Sequence, residues 1–298
     1  MKDGFINILK PPGMTSHDVI SFVRRTLGTK KAGHAGTLDP GAAGVLPVAV
    51  GHATRLLPYL GDVDKAYRAE LLLGIETDSG DDTGNILQEK RDFALPDEAA
   101  LAKAAAALTG IITQVPPVYS AIKIGGKRAC DLARQDIAVE IPSREVEIKQ
   151  LQVLRSRDKK ILLDVECSKG TYIRTLCTDF GRQLGIPATM SFLVRRRVGS
   201  FRLAEAVTLE ELAALKDAAV QPAENYLEHL PVFELFAKRI AAFGNGLSTR
   251  VTDFGMEDCL LRVYGKGRFL GIGRFDAAKG EVIPERLYMA EENILRGR

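Results

Sequence analysis

Cysteine is scarce in this 298-residue chain, and its four copies (Cys130, Cys167, Cys177, Cys259) lie far apart with no Cys-x-x-Cys pair. That spacing supports neither a zinc site nor a disulfide framework, and it suits reduced thiols in a cytoplasmic protein. Histidine is as sparse, and His17, His34, His52 and His229 lack metal-ligand spacing, so no metal is expected. No apolar run approaches the ~20 residues of a membrane-spanning helix. The opening Met-Lys-Asp-Gly-Phe-Ile-Asn-Ile lacks the apolar stretch of a signal peptide. Membrane association is therefore not expected. Internal repeats are absent, and the only compositional bias is alanine after Asp97.

What is present is an ordinary globular composition, 46% apolar and 27% charged. At this length the expectation is one large domain plus a small one. A net charge of +3 is too small to announce a polyanionic partner, but the charges are unevenly placed. Residues 180–204 hold five arginines (Arg182, Arg195, Arg196, Arg197, Arg202) and no acid, whereas residues 62–98 hold eleven acids against four bases. Such asymmetry is what a positively lined groove leaves in a sequence, although solvated helix faces are the simpler alternative.

The periodicities predict a helix from Thr15-Ser16 to Leu27, stopped by Gly28, and a strand over 66–74 with Tyr67 on its apolar side. A helix over 97–109 and a strand over 160–168 follow. A second helix over 171–184 carries Arg174 on its polar side. Strands and helices mix without a regular βαβ repeat, so the expected class is α+β with a mixed sheet. A composition break near Pro231 separates residues 1–230 from 231–298. Beyond it, residues 233–243 read as helical, and a hairpin turns at Gly265-Lys-Gly267.

The densest information lies in His34-Ala-Gly-Thr-Leu-Asp39-Pro-Gly-Ala-Ala-Gly-Val-Leu-Pro47. It puts one carboxylate, Asp39, in a glycine- and proline-rich loop ahead of an apolar run of strand length. Pro40 biases Asp39 toward extended geometry. A carboxylate in a stiff turn suits a nucleophile or base, although Asp-Pro-Gly is also common turn chemistry. The acidic stretch 74–84 lacks the ligand spacing of an EF-hand and reads as a surface turn.

This string, taken from Gly33, closely resembles the catalytic motif of the TruB family of bacterial tRNA pseudouridine-55 synthases. Lys10-Pro-Pro-Gly-Met-Thr-Ser16 resembles that family's N-terminal signature, and Asp64-Lys-Ala-Tyr67-Arg-Ala-Glu70 its second motif. Cys167-Ser-Lys-Gly-Thr-Tyr172-Ile-Arg174 with Leu193-Val-Arg-Arg-Arg-Val-Gly-Ser-Phe201 resembles its third. Four motifs in family order span about two hundred residues. The stretch beyond Pro231 is similar, less specifically, to a PUA domain, a small RNA-binding β-barrel.

The resemblance implies isomerisation of uridine 55 in the tRNA T-loop, with Asp39, Tyr67 and Arg174 as catalytic residues. It places His34, Tyr172 and Leu193 near the target nucleotide, and Lys10, Lys123, Arg195 and Arg196 on RNA. Asp78 would join the hydrogen bonds around Arg174. A thumb-like insertion is expected over about 115–145, where Cys130 and Asp136 stand at positions more often Tyr and Gly in the family. No cofactor is implied, because breaking N1–C1′ and joining C5 to C1′ involves no redox change. The expected partner is the tRNA T-arm, with no obligatory protein partner and a monomeric enzyme. Whether Asp39 attacks C1′ or C6, or takes the C2′ proton, stays open at this level. The rivals are a guide-RNA-dependent pseudouridine synthase and a non-catalytic RNA-binding or tRNA-folding module.

Overall fold

The computed structural model describes residues 2–120, 122–124, 127–129, 141–251 and 255–288. Cys130, Asp136 and the rest of residues 130–140 of the expected thumb lie outside them. Seven strands form the spine of a mixed sheet: β1 (Gly4–Lys10), β3 (Ala43–Val50), β4 (Lys65–Leu73), β5 (Gly110–Gln114), β6 (Arg144–Arg157), β7 (Lys160–Cys167) and β8 (Ala188–Val198). Their order is β1-β3-β8-β4-β7-β6-β5, with short strands β2 (Ala32–His34) on β3 and β9 (Phe201–Arg202) on β8. All pairings are antiparallel except β3 with β8, which is parallel and covers only Ala43–Gly44 against Val194–Arg195. Beyond those two residues the sheet is split, and the candidate site sits in the split.

Two helices close one half of the sheet. α2 (Glu98–Ala107) is capped by Asp97, whose carboxylate accepts from Ala100 N–H at 2.7 Å. α3 (Ile173–Leu184) ends on Gly185 at φ 66°, a left-handed stop that suits glycine. Ile173, Leu176, Cys177 and Phe180 of α3 pack with Tyr67, Ala69 and Leu71 of β4 and with Leu163 and Val165 of β7. Over the other half lies α1 (Ser16–Leu27), which begins with a reciprocal capping box between Thr15 and Asp18. It shares a core with Ile6 and Ile8, with Leu46, Val48 and Val50, and with α4 (Leu209–Leu215).

The opposite faces of β1 and β3, through Phe5, Val45 and Ala49, pack against Phe269 and Ile272 from the C-terminal part. Burial on both faces explains why 45–50 reads as an unbroken apolar run rather than an alternating one. The outer edge of β1 is sealed late in the sequence: Phe5 and Gln221 exchange backbone hydrogen bonds, and Leu9 N–H donates to Val207 O at 2.8 Å. The Tyr288 hydroxyl donates to Asp3 O at 2.8 Å.

The C-terminal sheet has five strands, β10 (Val232–Leu235), β11 (Thr249–Arg250), β12 (Cys259–Gly265), β13 (Arg268–Asp276) and β14 (Glu281–Leu287), in the order β10-β12-β13-β14-β11. The predicted hairpin is the β12–β13 connection, with Lys266 at φ 53° and Gly267 at φ 70° as two left-handed turn residues. The helix predicted over 233–243 is corrected. Val232–Leu235 pairs in parallel with Arg262–Gly265, and only Ile240–Gly244, α5, is α-helical. Val-Phe-Glu-Leu alternates buried and exposed side chains with the period of a strand.

Candidate active site

The loop joining β2 to β3 is held at every residue from 36 to 40 through its carbonyls. Gly36 O and Thr37 O accept from Arg195 Nη2 and Nη1 at 3.0 and 3.2 Å. Leu38 O accepts from Ser16 Oγ at 3.2 Å, and Leu38 N–H donates back at 2.9 Å. Asp39 O accepts from Ala42 N–H, and Pro40 O from Gly13 N–H at 2.8 Å and Lys10 Nζ at 3.1 Å. Leu38 and Ala42 also root the loop in the core that contains Tyr67 and Leu193. Gly44 lets β8 approach: at φ 115°, an added Cβ would lie 2.2 Å from Arg195 O.

Asp39 is 39% exposed in side chain, and Arg174 opposite it only 6%. Arg174 Nε is 3.0 Å from one carboxylate oxygen, and Nη2 donates to the other at 3.3 Å. The guanidinium is itself fixed, with Nη1 donating to Ser79 O at 3.0 Å and Nη2 to Tyr119 O at 2.9 Å. Arg174 is therefore not on a solvated helix face as its periodicity predicted. It points from the first turn of α3 into the site. The turn before α3 is clamped by Gln114, which is 1% exposed. Gln114 accepts from Tyr172 N–H at 3.0 Å and donates to Tyr172 O at 3.3 Å. The Tyr172 ring carries the Arg144 guanidinium at 5.3 Å.

Tyr67 is buried on β4 in register with Arg195, and its hydroxyl lies against that guanidinium. Burial pushes the phenol up to about 12, so the hydroxyl stays protonated at neutral pH. His34, at the end of β2, has its pKa lowered by burial and then by the charge of Arg195, which keeps the ring neutral. Its buried Nδ1 has no hydrogen-bond partner. Leu193 is buried two residues before Arg195.

Four of the expected residues are engaged inside the protein. Lys10 is fully buried and donates to Pro11 O, Met14 O and Pro40 O, so it braces the loop. Arg195 is 1% exposed and spends its donors on Val45 O as well as on the loop. Arg196 is paired with Asp164 at 2.7 Å. Asp78 accepts from Asn85 N–H and Nδ2, and the carboxylate facing Arg174 is Asp81, at 3.7 Å. The rest of the arginine run is largely neutralised too, Arg197 by Glu166 and Arg182 by Glu76 and Asp179. A count along the chain cannot see acids that arrive from other strands. The Lys123 backbone is in a two-residue hairpin strand, and its side chain lies outside the described residues. Sequence reasoning missed Ser16, Ser79, Asp81, Gln114 and Arg144. Ser16 ends a quoted motif, but nothing local marks the others.

Residues 24–173 match the N-terminal domain of TruB family pseudouridylate synthases, and residues 174–231 match the C-terminal domain of tRNA pseudouridylate synthase B. The tRNA pseudouridine synthase B of Heliobacterium mobile is 46% identical over 280 residues, covering 91% of this chain and 90% of that protein. Its counterpart in Symbiobacterium thermophilum is 54% identical over 224 residues, covering 74% and 75%. Among solved structures, the chain resembles one in a Cbf5–Nop10–Gar1 complex, with a TM-score of 0.74 and 28% identity over 98% of this chain and 86% of that one. An archaeal box H/ACA Nop10–Cbf5 complex gives 0.71 and 26%, over 98% and 88%.

Proposed function

This chain belongs to the TruB family and is a tRNA pseudouridine synthase, and on that premise we propose that it isomerises uridine 55 of the T-loop with Asp39 as the reacting carboxylate. The observation that carries this reading is the two-point Asp39–Arg174 pairing on a loop whose five successive carbonyls are all held. The target base lies inside a folded loop and must leave it, at a cost of a few kcal/mol. Once extruded, it meets a carboxylate aimed by a buried guanidinium, so little reorganisation remains before reaction. The N1–C1′ bond breaks, the uracil turns, C5 bonds to C1′, and the proton lost from C5 is matched by one gained at N1, so that substrate and product are isomers. Tyr67 supplies a ring for the base to stack on and a protonated hydroxyl beside it. His34, Tyr172 and Leu193 border the same space. Asp81 steadies Arg174 from the side away from Asp39.

Residues before 231 carry every group assigned to the chemistry, and the C-terminal sheet is assigned to RNA binding. The enzyme is expected to act alone. Identities of 42–54% to tRNA pseudouridine synthase B proteins, against 26–28% to the Cbf5 chains, favour tRNA over a guide-directed substrate. The test is to incubate the protein alone with an unmodified tRNA transcript and map pseudouridine. Conversion at position 55 is expected for the wild type. Asp39→Asn should abolish it while tRNA affinity stays within about tenfold, because only the reactive charge is lost. Turnover above about one per cent of wild type in that variant would remove Asp39 from the reaction.

A further inference from the structure

The first turn of α3 carries Arg174 but lacks a cap of its own. Its N-cap residue, Tyr172, makes no side-chain capping hydrogen bond, and tyrosine is not among the residues that cap helices well. The hold comes from a distant part of the chain. Gln114, the last residue of β5, reaches a residue 58 positions away with its amide, accepting from Tyr172 N–H at 3.0 Å and donating to Tyr172 O at 3.3 Å. The residues after it extend the grip. Val115 O accepts from Thr175 Oγ1 at 3.2 Å, and Tyr119 O from Arg174 Nη2 at 2.9 Å. Positions 114, 115 and 119 thus hold 172, 175 and 174.

Gln114 is the most deeply placed of these, at 1% exposure. An apolar side chain would fill that space without the cost of desolvating an amide. The two-point bond restrains Tyr172 against both sliding and turning, and solvent does not compete for it. What depends on that restraint is the reach of Arg174, two residues further on. Arg174 Nε stands 3.0 Å from one oxygen of Asp39, and Nη2 stands 3.3 Å from the other. Hydrogen bonds of this kind fall at about 2.7–3.2 Å, so the second contact is already at its long limit. A displacement of roughly half an ångström in the first turn of α3 breaks it and leaves Asp39 held at one point.

We propose that Gln114 is a positioning residue for the reaction: from the edge strand of the sheet, its amide fixes the start of α3 so that Arg174 meets both oxygens of Asp39. It acts through Arg174 and not on the substrate. The proposal rests on Arg174 aiming the reacting carboxylate, as argued above.

The test separates positioning from packing. Gln114→Met keeps the length and fills the space but loses both hydrogen bonds. Its single-turnover rate at saturating enzyme should fall about 10–100-fold, the usual cost of a small misplacement at a reacting centre. Affinity for unmodified tRNA, measured in the Asp39→Asn background, should stay within about threefold, because binding does not require the two-point pairing. A glutamine that only packs would lower the melting temperature and leave the saturated rate of the folded enzyme unchanged. The same substitution is then made in Arg174→Lys, where the pairing is already lost. There it should cost less than about twofold further, since residues that act as a unit are not additive. Gln114→Glu keeps the shape and the acceptor but turns an oxygen toward Tyr172 O. It should lose rate in the same direction, and it replaces the methionine variant if that one does not fold. A saturated rate equal to wild type in the folded variant, or an undiminished penalty in the Arg174→Lys background, overturns the proposal. Near-normal turnover of Arg174→Lys alone would instead overturn the reading of Arg174 on which it rests.

Discussion

Replacing Arg195 by lysine distinguishes a brace from a phosphate contact. The guanidinium is 1% exposed and donates to Val45 O at 2.8 Å, Gly36 O at 3.0 Å and Thr37 O at 3.2 Å. An ammonium keeps the charge but is a single point at the end of a flexible stem, and it cannot span three carbonyls as a planar fork does. One or two buried acceptors are then left without a donor, at about 1–3 kcal/mol each. The expected loss of folding stability is about 2–5 kcal/mol, a large share of a total near 5–15 kcal/mol. Urea unfolding reads it as a lower midpoint at constant slope. Because Gly36 and Thr37 lead into Asp39, the single-turnover rate at saturating enzyme should fall at least about tenfold, equivalent to ~1.4 kcal/mol of barrier. Affinity for tRNA and its salt dependence should hardly move. A variant with the wild-type unfolding midpoint, weaker tRNA binding and a salt slope smaller by about 0.9 would refute this and return Arg195 to the RNA interface.

Arg174→Lys should cost about 10²-fold or more in the saturated rate, since the side-on contact with both oxygens of Asp39 needs a planar fork; near-normal turnover would contradict that geometry. Lys10 supplies a pH dependence. Burial pushes its ammonium down to about 8, against the opposing pull of Asp39. Above that pH the amine has two hydrogens for three carbonyls, so the saturated rate should decline with a one-proton dependence. Unfolded lysine stays protonated to about 10.5, so between 8 and 10.5 the unfolded state binds more protons and this group's contribution to stability rises with pH. Loss of activity that tracks unfolding rather than preceding it would count against the assignment. Deleting residues 231–298 removes Phe269 and Ile272 from their contact with Phe5. It should lower the melting temperature and weaken tRNA binding more than it slows the bound reaction. Normal affinity with a collapsed saturated rate would place C-terminal residues in the active site.

The elements legible in sequence were those whose signals are local. Thr15 with Asp18, Gly28 and Gly185 marked helix ends because caps act within one turn. The β12–β13 turn was legible because glycine flanks it. Residues 233–235 read as helix because the four-residue strand Val232–Leu235 carries too few periods to outweigh the apolar residues that follow. In the site, Asp39 and Arg174 were legible through motif resemblance. Lys10 and Arg195 were assigned to RNA because a basic residue in a motif reads the same whether it faces phosphate or carbonyl. Only the fold distinguishes the two, by folding the chain at 11–14 back over Lys10 and by bringing the carbonyls of residues 36, 37, 40 and 45 from parts distant in sequence. Asp81 displaced Asp78 through a three-residue shift inside one turn, finer than sequence patterning resolves.

The sealing of β1 by Val207, Gln221 and Tyr288 has a consequence for biosynthesis. A chain emerging from the ribosome delivers Phe5, Ile6 and Ile8 first and the residues that cover their strand's outer edge roughly two hundred positions later. At about 5–20 residues per second, that edge waits on the order of 10–40 s with its backbone groups unpaired. An apolar strand with an open edge is a template for pairing with another nascent chain. Chaperone demand during translation should therefore concentrate on the first ten residues, and slow codons placed before residue 207 should prolong the hazard, whereas pauses after 221 should matter far less.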